Sequence, residues 1–273
     1  MRRDDSGSDR AVVIEAIAGL VADERLGAVA TIVSGPGLGG KAVLDFEKRY
    51  IAGELPEDLA DDVAADAKAL MEHEQNRTLA YGDAEVFIET VAPLPHLVVF
   101  GAVHVAQPLS TMARQLGFHV TISDARPAFT TSERFPDADR VLVGWPDELK
   151  DEIQLDRRTY VVLLSHDARF EDPVLPWVLD SPVKYIGAMG SRRTSAKRVE
   201  KLKRLGYSDE QIGRIHGPVG LDIGAEQPAE TAISILAEMI QVRYGSGTGE
   251  SLRGMARRIH AQRTDDKGDG ADT

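Results

Sequence analysis

The hydrophobic residues of the chain follow different spacings on either side of a proline-bracketed stretch, Pro93-Leu94-Pro95. Before it, residues 11–22 and 60–71 have helical spacing, whereas residues 84–91 (AEVFIETV) alternate like a half-buried strand. A stiff, proline-rich stretch of this kind is typical of a linker. The pattern therefore predicts a small α+β domain over residues 11–92, followed by a second domain.

After the linker, continuous runs of Val, Ile and Leu alternate with helical or loop stretches. The runs begin near Leu97, Phe118, Arg140, Thr159 and Val183. Strands that are apolar along their whole length are typical of a parallel sheet that helices cover on both faces. We therefore predict an α/β fold, with a Rossmann-like parallel sheet domain over residues 96–245 that the small α+β domain precedes.

The two ends of the chain lack this patterning. Residues 1–10 are highly charged, and residues 246–273 are rich in Gly, Asp, Arg and Ser. Segments with so few apolar residues do not bury enough surface to fold by themselves. We predict that residues 1–10 are disordered and that residues 246–273 form a mobile tail.

Composition excludes several classes of protein. The 273 residues carry 32 Lys and Arg against 44 Asp and Glu, a net charge of −12, and contain no cysteine. The absence of cysteine excludes disulfide scaffolds, thiolate-bound metal centres and cysteine nucleophiles. The negative charge argues against a nucleic-acid partner. No apolar run has the length of a membrane span and no signal sequence is evident, so we expect a cytoplasmic protein without a membrane partner.

Residues 97–126 form a strand, a tight turn, a helix and a second strand that ends in an acid. Dinucleotide-binding folds place a G-x-G-x-x-G/A motif at this turn, and the corresponding residues here are Gly101, Val103 and Ala106. The middle glycine, which lets a diphosphate approach the backbone, is missing. We expect the turn to form and its affinity for a diphosphate to be reduced.

The acid at the end of the second strand is Asp124, a position from which carboxylates usually bind a ribose hydroxyl. Arg126 could instead favour a 2′-phosphate, so NAD(P) is one candidate cofactor. The alternative is a well-packed βα unit that binds no nucleotide. The candidate cofactor-binding residues of this region are Gly101, Ala102, Val103, His104, Asp124, Ala125 and Arg126.

Four blocks of sequence point to a known family. They are GAVHVAQPLSTMARQLGFHVTISDAR from Gly101, SHDARFEDPVL from Ser165, YIGAMGSRRT from Tyr185 and IHGPVGLDIGAEQPAETAISILAEM from Ile215. Together they lie within about residues 84–243. The blocks resemble the XdhC/CoxI family, the accessory factors of xanthine dehydrogenase and carbon monoxide dehydrogenase.

The resemblance implies a maturation factor more than a turnover enzyme. Such a protein binds molybdenum cofactor transiently, protects it while its terminal sulfur is installed, and delivers it to an apo-molybdenum hydroxylase. The implied partners are that hydroxylase and a cysteine desulfurase. The chain departs from the family in Val103, where glycine is typical, and in its first domain, which lacks the family's cysteine. A thiolate ligand or a persulfide relay on these residues is therefore excluded.

The loop Ser165-His166-Asp167 follows the strand that begins at Thr159. A His beside an acid is a weak candidate for proton transfer, and we include Ser165 and His166 among the cofactor-binding candidates. Adjacent residues of a strand point to opposite faces, however. The alternative is that Asp167 caps the next helix and His166 bonds to the backbone.

A second loop contains Gly190, Ser191 and Arg192, and leads into a basic helix. Residues 190–205 contain seven Lys or Arg and one Glu. Glycine N–H groups and guanidinium groups together suit a phosphate or a pterin phosphate. The alternative for the later lysines is a solvated basic face.

A third loop runs from His216 and contains Asp222 and Glu226, ahead of an apolar helix that begins at Pro228. Either acid could accept from a ribose, a pterin ring or a cation, or could satisfy the backbone at the helix entrance. No metal-ligand spacing occurs here, so we predict no protein-bound metal. The wide apolar face of the helix suits burial within the monomer or against a second copy, and we expect a homodimer.

Two further functions are consistent with the sequence. The first is an NAD(P)-dependent oxidoreductase that uses His166 as proton donor. The second is a nucleotide-responsive regulator whose acidic helix over residues 59–71 docks a partner. Tight binding of NAD(P) by the purified protein would distinguish the first from cofactor delivery.

Overall fold

A computed structural model of the chain describes residues 6–165 and 167–254. The described residues fall into two compact units, residues 6–93 with 250–254, and residues 94–249. Of the two ends that the sequence predicts to be mobile, residues 1–5 and 255–273 lie outside the described residues. None of the helices in the described part of the chain combines the length and the apolar character needed to cross a bilayer.

The first unit is a five-stranded antiparallel sheet with two helices. Its elements are α1 (Ser6–Ala22), β1 (Gly27–Ser34), β2 (Lys41–Asp45), β3 (Arg49–Gly53), α2 (Glu57–Glu72), β4 (Arg77–Tyr81) and β5 (Ala84–Val91). The strands lie in the order β3-β2-β1-β5-β4. The central strand β1 pairs with β2 and with β5, and both pairings are antiparallel.

Helix α1 starts earlier than the sequence predicts, so the prediction of disorder is wrong for residues 6–10. Later turns of α1 are anchored by Val13 and Leu20, which are buried with Val43 of β2. Once such a helix is nucleated, another turn is added at little cost, even by polar residues. The opposite face of the sheet packs on Val63 and Ala67 of α2.

The second unit is a six-stranded parallel sheet with helices on both faces. Its elements are β6 (His96–Phe100), α3 (Ala106–Gln115), β7 (His119–Asp124), β8 (Arg140–Val143), β9 (Thr159–Leu163), α4 (Ala168–Leu179), β10 (Tyr185–Ala188), α5 (Arg192–Arg204), α6 (Asp209–Gly213), β11 (Ile215–His216) and α7 (Pro228–Tyr244). The strands lie in the order β11-β10-β9-β6-β7-β8. The predicted α/β fold class and the Rossmann-like sheet are confirmed.

Successive residues of β6 face opposite layers of the unit, which explains its unbroken apolar run. Leu97 and Val99 pack in the core that includes α3 and α7, whereas Val98 and Phe100 pack in the core that includes α4. The chain builds the sheet outward from β6 in one direction and then from β9 in the other. Ligands of open parallel sheets bind in the crevice at such a switch point, beyond the carboxyl ends of the strands.

Candidate functional site

The loops that follow β6 and β9 touch each other at the switch point through Gly101 and Ser165. Gly101 has a φ of +114°, and a Cβ atom there would lie 2.8 Å from the backbone nitrogen of Ser165. The Ser165 N–H donates to the carbonyl of Phe100 at 3.3 Å, which holds the two loops together. Glycine is therefore required at this position by backbone conformation and by the close approach of the second loop.

Helix α3 begins beside this contact without a side-chain cap. Its N-cap residue is Val105, whose side chain makes no capping hydrogen bond. Val103 is half-buried and packs on the apolar core of α3 and α7, while His104 is exposed. The N–H of Ala106 donates to the carbonyl of Val103 at 2.9 Å, and Pro108 has no N–H. Among the first three residues of α3, the N–H of Gln107 is therefore the group suited to an anion.

Asp124 ends β7 and its side chain is fully buried. Its carboxylate accepts hydrogen bonds from the N–H of Ala102 at 2.8 Å and from Nε and Nη2 of Arg126 at 2.9 and 2.7 Å. Burial acts to raise the pKa of Asp124, but these donors outweigh it and the pKa is lowered. The carboxylate oxygens are thus occupied within the protein, where the sequence suggested a contact with ribose.

Arg126 is the member of this pair that reaches the solvent. Its side chain is 50% exposed, and its guanidinium lies 4.6 Å from the centre of the Phe129 ring. The hydrogen bond with Asp124 raises the pKa of Arg126 further. The guanidinium of Arg126 is therefore held next to the turn before α3 with one side accessible to solvent. Ala125, which lies between the two residues in sequence, is half-buried.

The loop after β9 holds Asp167 as the N-cap of α4. Its carboxylate accepts from the N–H of Arg169 at 2.9 Å, and its own N–H donates to Oγ of Ser165 at 3.1 Å. Side-chain hydrogen bonds from Arg169 lower the pKa of Asp167. These contacts match the capping alternative for Asp167. His166 lies outside the described residues, and its proposed proton transfer stays a prediction.

The loop after β10 leads into α5, where Ser191 is the N-cap and accepts from the N–H of Thr194 at 3.1 Å. Gly190 is half-buried, while Arg192 and Arg193 are exposed at the start of the helix. The candidate residues of this loop are thus placed at a helix N-terminus with two cations beside it. The side chain of Ser191 satisfies the N–H of Thr194 alone, so the guanidinium and N–H groups of Arg192 and Arg193 are still suited to an anion here.

Arg198 of α5 is buried, unlike the exposed Arg192 and Arg193, and sequence reasoning did not single it out. It donates to Glu171 of α4 at 2.7 and 3.1 Å and to the carbonyl of Met189 at 3.1 Å. Its remaining nitrogen, Nη1, and Oγ of Ser195 are buried without hydrogen-bond partners. Both lie 3.2 Å from where a Cβ atom on Gly217 would be. Buried unpaired donors of this kind call for a ligand or a water.

Glu238 of α7 forms a hydrogen-bonded group that sequence reasoning missed. Its carboxylate accepts from the hydroxyl of Tyr185 at 2.5 Å and from the N–H of Gly220 at 3.0 Å, and it lies 3.2 Å from Nδ1 of His216. Burial acts to raise the pKa of Glu238, but the donors lower it overall. The only sequence signal is an acid within the apolar run of α7 (AISILAEMI).

Asp222 and Glu226 are exposed on the loop before α7. The acid that satisfies the backbone at this helix entrance is Glu230, which accepts from the N–H groups of Glu226 and Gln227 at 2.9 Å each. These hydrogen bonds lower the pKa of Glu230. No hydrogen bond joins Asp222 or Glu226 to Asp124 or Arg126. Across residues 6–165 and 167–254, no three His, Asp or Glu side chains are grouped so as to hold a metal ion.

Several curated proteins and solved structures are similar to this chain. A Bacillus subtilis protein whose name describes it as a probable xanthine dehydrogenase subunit is 34% identical over 58% of this chain and 46% of its own length. The Escherichia coli molybdenum cofactor insertion chaperone PaoD is 32% identical over 55% of this chain and 41% of its own length. The chain thus spans less than half of the length of each of these curated relatives.

One solved structure, from Bacillus halodurans, is described as a xanthine dehydrogenase. It superposes with a TM-score of 0.51 at 20% identity and covers 88% of this chain and 98% of its own. At this identity the likeness concerns the fold alone. The sequence model of the XdhC Rossmann domain matches residues 97–239, more than half of the chain. This chain is therefore a member of the XdhC family. The match includes the turn after β6 and most of the parallel sheet.

Proposed function

We propose that this protein binds molybdenum cofactor in the crevice at the carboxyl edge of the parallel sheet and assists its maturation and insertion into a molybdenum hydroxylase. The observation that carries the proposal is the uncapped N-terminus of α3 at the switch point of an XdhC Rossmann domain. The name of PaoD, a molybdenum cofactor insertion chaperone, supports the same role. An apo-hydroxylase is accordingly the proposed partner.

The residues at this edge fit an anionic, oxygen-rich ligand. The Gln107 N–H at the start of α3 and the exposed guanidinium groups of Arg126, Arg192 and Arg193 suit the phosphate of a pterin cofactor. Nη1 of Arg198 and Oγ of Ser195 add two buried donors without partners beside Gly217. The donor set therefore matches a phosphorylated ligand better than a bare metal ion.

When bound, the cofactor supplies its own sulfur-ligated molybdenum centre. The chain contains no cysteine, so its residues offer no thiolate ligand. Their part is to hold the phosphate, orient the pterin and keep both in place until transfer. Sulfur installation then belongs to a partner, for which a cysteine desulfurase is the proposed class.

We also propose that the protein forms a homodimer through one face of α7. This α7 face consists of Ile233, Ala237, Ile240 and Tyr244, which recur at helical spacing. Ile233, Ile240 and Tyr244 are 48%, 38% and 39% exposed. A second copy of the helix, packed antiparallel, would place Ile233 against Ile240. The same alignment would place Glu230 against Arg243, because the two pairs are centred on the same point of the helix, between residues 236 and 237. Such self-complementarity is what a two-fold interface requires.

The binding proposal is tested by purifying the full chain from cells that make the cofactor and measuring the fluorescent pterin released by oxidation. We expect stoichiometric pterin from the wild type and a loss of at least about tenfold in affinity when both Arg126 and Arg192 are replaced by Ala, since each removes a charge-assisted hydrogen bond. Lys197→Ala, which removes an exposed cation from the same helix as Arg192, is the matched control. Recovery of NAD(P) without pterin, or full hydroxylase activity in cells lacking the protein, would refute the proposal.

A further inference from the structure

The imidazole of His216 is held by a buried carboxylate. Glu238 lies 3.2 Å from Nδ1 of His216, and its side chain is 13% exposed. The same carboxylate accepts from the Tyr185 hydroxyl and from the Gly220 N–H. Glu238 therefore joins β10, β11 and the loop that follows β11, with the imidazole as one of its three donors.

This contact fixes the hydrogen-bonding character of both ring nitrogens. A carboxylate can only accept, so Nδ1 of His216 carries the proton. In the neutral imidazole the other nitrogen, Nε2, then presents a lone pair. Orientation of a histidine by a carboxylate on one nitrogen, with the other left to act, is a recurrent arrangement in functional sites.

The ring is also fixed by packing. The ring of Tyr185 lies 4.7 Å from that of His216, centre to centre, with an angle of 33° between their planes. Beside them, Gly187 pairs with His216 in the sheet, and a Cβ atom on Gly187 would lie 2.8 Å from the Tyr185 ring. The absence of a side chain at Gly187 thus leaves the space that the Tyr185 ring occupies against the imidazole.

His216 also lies at the edge of the sheet where the proposed ligand binds. It is the last residue of β11, and its side chain is 32% exposed. The next residue, Gly217, lies against Arg198 and Ser195, each of which has a buried donor without a hydrogen-bond partner. The imidazole therefore belongs to the same group of loops as the basic start of α5.

We propose that His216 is a ligand-binding residue whose Nε2 accepts a hydrogen bond from an N–H group of the bound heterocycle, with Glu238 as the residue that positions it. The proposal rests on the proposed function for the identity of that heterocycle, because the ring edge of a pterin carries amide and amine N–H donors. The phosphate groups bind elsewhere, at the helix N-termini. His216 would thus bind the heterocyclic ring, and the arginines would bind the negatively charged phosphate.

The experiment has two measurements on the full chain. Long-range ¹H–¹⁵N spectra of histidine-labelled protein report which nitrogen carries the proton, and we expect the Nδ1–H form for His216 in the wild type and a mixture in Glu238→Gln. Fluorescence titration with 6-hydroxymethylpterin should show binding at least about tenfold weaker in His216→Ala, while binding of inorganic phosphate is unchanged. Thermal unfolding checks that each variant is folded.

Two conservative variants keep the test decisive if His216→Ala does not fold. Gln extends an amide oxygen to about the position of Nε2, whereas Asn reaches only that of Nδ1. We expect His216→Gln to restore pterin binding in part and His216→Asn not to. Equal binding by wild type, Gln and Asn variants, or an Nε2–H form in the wild type, overturns the inference. A wild type that has the Nδ1–H form and binds phosphate, yet binds no pterin, overturns the ligand assignment, whereas a wild type that binds neither overturns the proposed function as a whole.

Discussion

Asp124 and Arg126 form a closed pair at the end of β7, in which a fully buried carboxylate holds a half-exposed guanidinium through two hydrogen bonds. The same carboxylate accepts from the Ala102 N–H in the turn before α3. The pair therefore couples the position of a surface cation to the shape of that turn. The sequence motif identifies both residues, but it does not reveal that the arginine turns back onto the acid.

Asp124→Asn should lower the free energy of unfolding by about 2–3 kcal/mol. The substitution removes the charge that four donors share, namely the N–H groups of Ala102 and Arg126 and two guanidinium nitrogens of Arg126. It leaves that guanidinium beside a neutral amide. Chemical denaturation measures the loss. Arg126→Ala is the companion variant and should cost at least as much, because it leaves the fully buried carboxylate of Asp124 with backbone donors alone. A loss below about 1 kcal/mol in both variants would show that the pair contributes little to stability.

Gly101→Ala should destabilise the protein more than Gly117→Ala, although both glycines have positive φ. Gly117 has a φ of +82° and open space around it, so alanine there carries only the backbone strain of about 1–2 kcal/mol. At Gly101 the new methyl group would also meet the backbone of Ser165, which adds about 1–3 kcal/mol. Thermal or chemical unfolding of the two variants gives the comparison. Similar losses would mean that the loops after β6 and β9 separate freely.

How much of the fold the sequence predicts depends on how locally each element is specified. The parallel strands are evident because β6 and β9 are buried on both faces and therefore apolar throughout. The short strands β2 and β3 were not predicted, since their register depends on pairing with β1. The start of α1 was placed too late, because its first turn is polar and gains its stability from later turns.

The candidate site is predictable where backbone conformation limits the choice of residue. Gly101 and the caps Asp167 and Ser191 follow from local rules for turns and helix ends. Glu238 and Arg198 do not, because each acts on residues far away in sequence, such as Tyr185 and Glu171. Helical periodicity assigns a polar residue to a face of the helix, but it does not identify the partner on another strand or helix.

The stability of the protein should decrease as the pH falls from 6.5 toward 4 because of His96. Burial, and then the neighbouring His119, lower the pKa of His96 from 6.5 to about 4. Its Nε2 lies 2.9 Å from the Thr121 hydroxyl. The unfolded chain therefore takes up a proton in this interval that the folded protein excludes, and the stability present above pH 6.5 is lost progressively, by up to about 3 kcal/mol.

Chemical denaturation at a series of pH values between 7 and 4 measures this effect. His96→Gln keeps a polar side chain of similar length and cannot be protonated, so its stability should vary less over the same interval. Interpretation is clearest above pH 4.5, where the carboxylates with lowered pKa values, such as Glu238, remain ionised. Parallel curves for the wild type and His96→Gln would contradict the assignment.

Because the chain has no cysteine of its own, one introduced cysteine tests whether two copies of α7 pair as proposed. The antiparallel pairing of the α7 faces has its midpoint between Leu236 and Ala237, so the two copies of Ala237 lie close to each other across the two-fold axis. Ala237→Cys should therefore form a disulfide-linked dimer on mild oxidation, visible by electrophoresis without reductant. Glu230→Cys is the control: in this pairing its two copies are about 20 Å apart along the helices and should not cross-link. Ile240→Glu should convert the wild-type dimer to monomer in sedimentation. Equal cross-linking at both cysteine positions, or a monomeric wild type, would exclude the α7 face as the dimer interface.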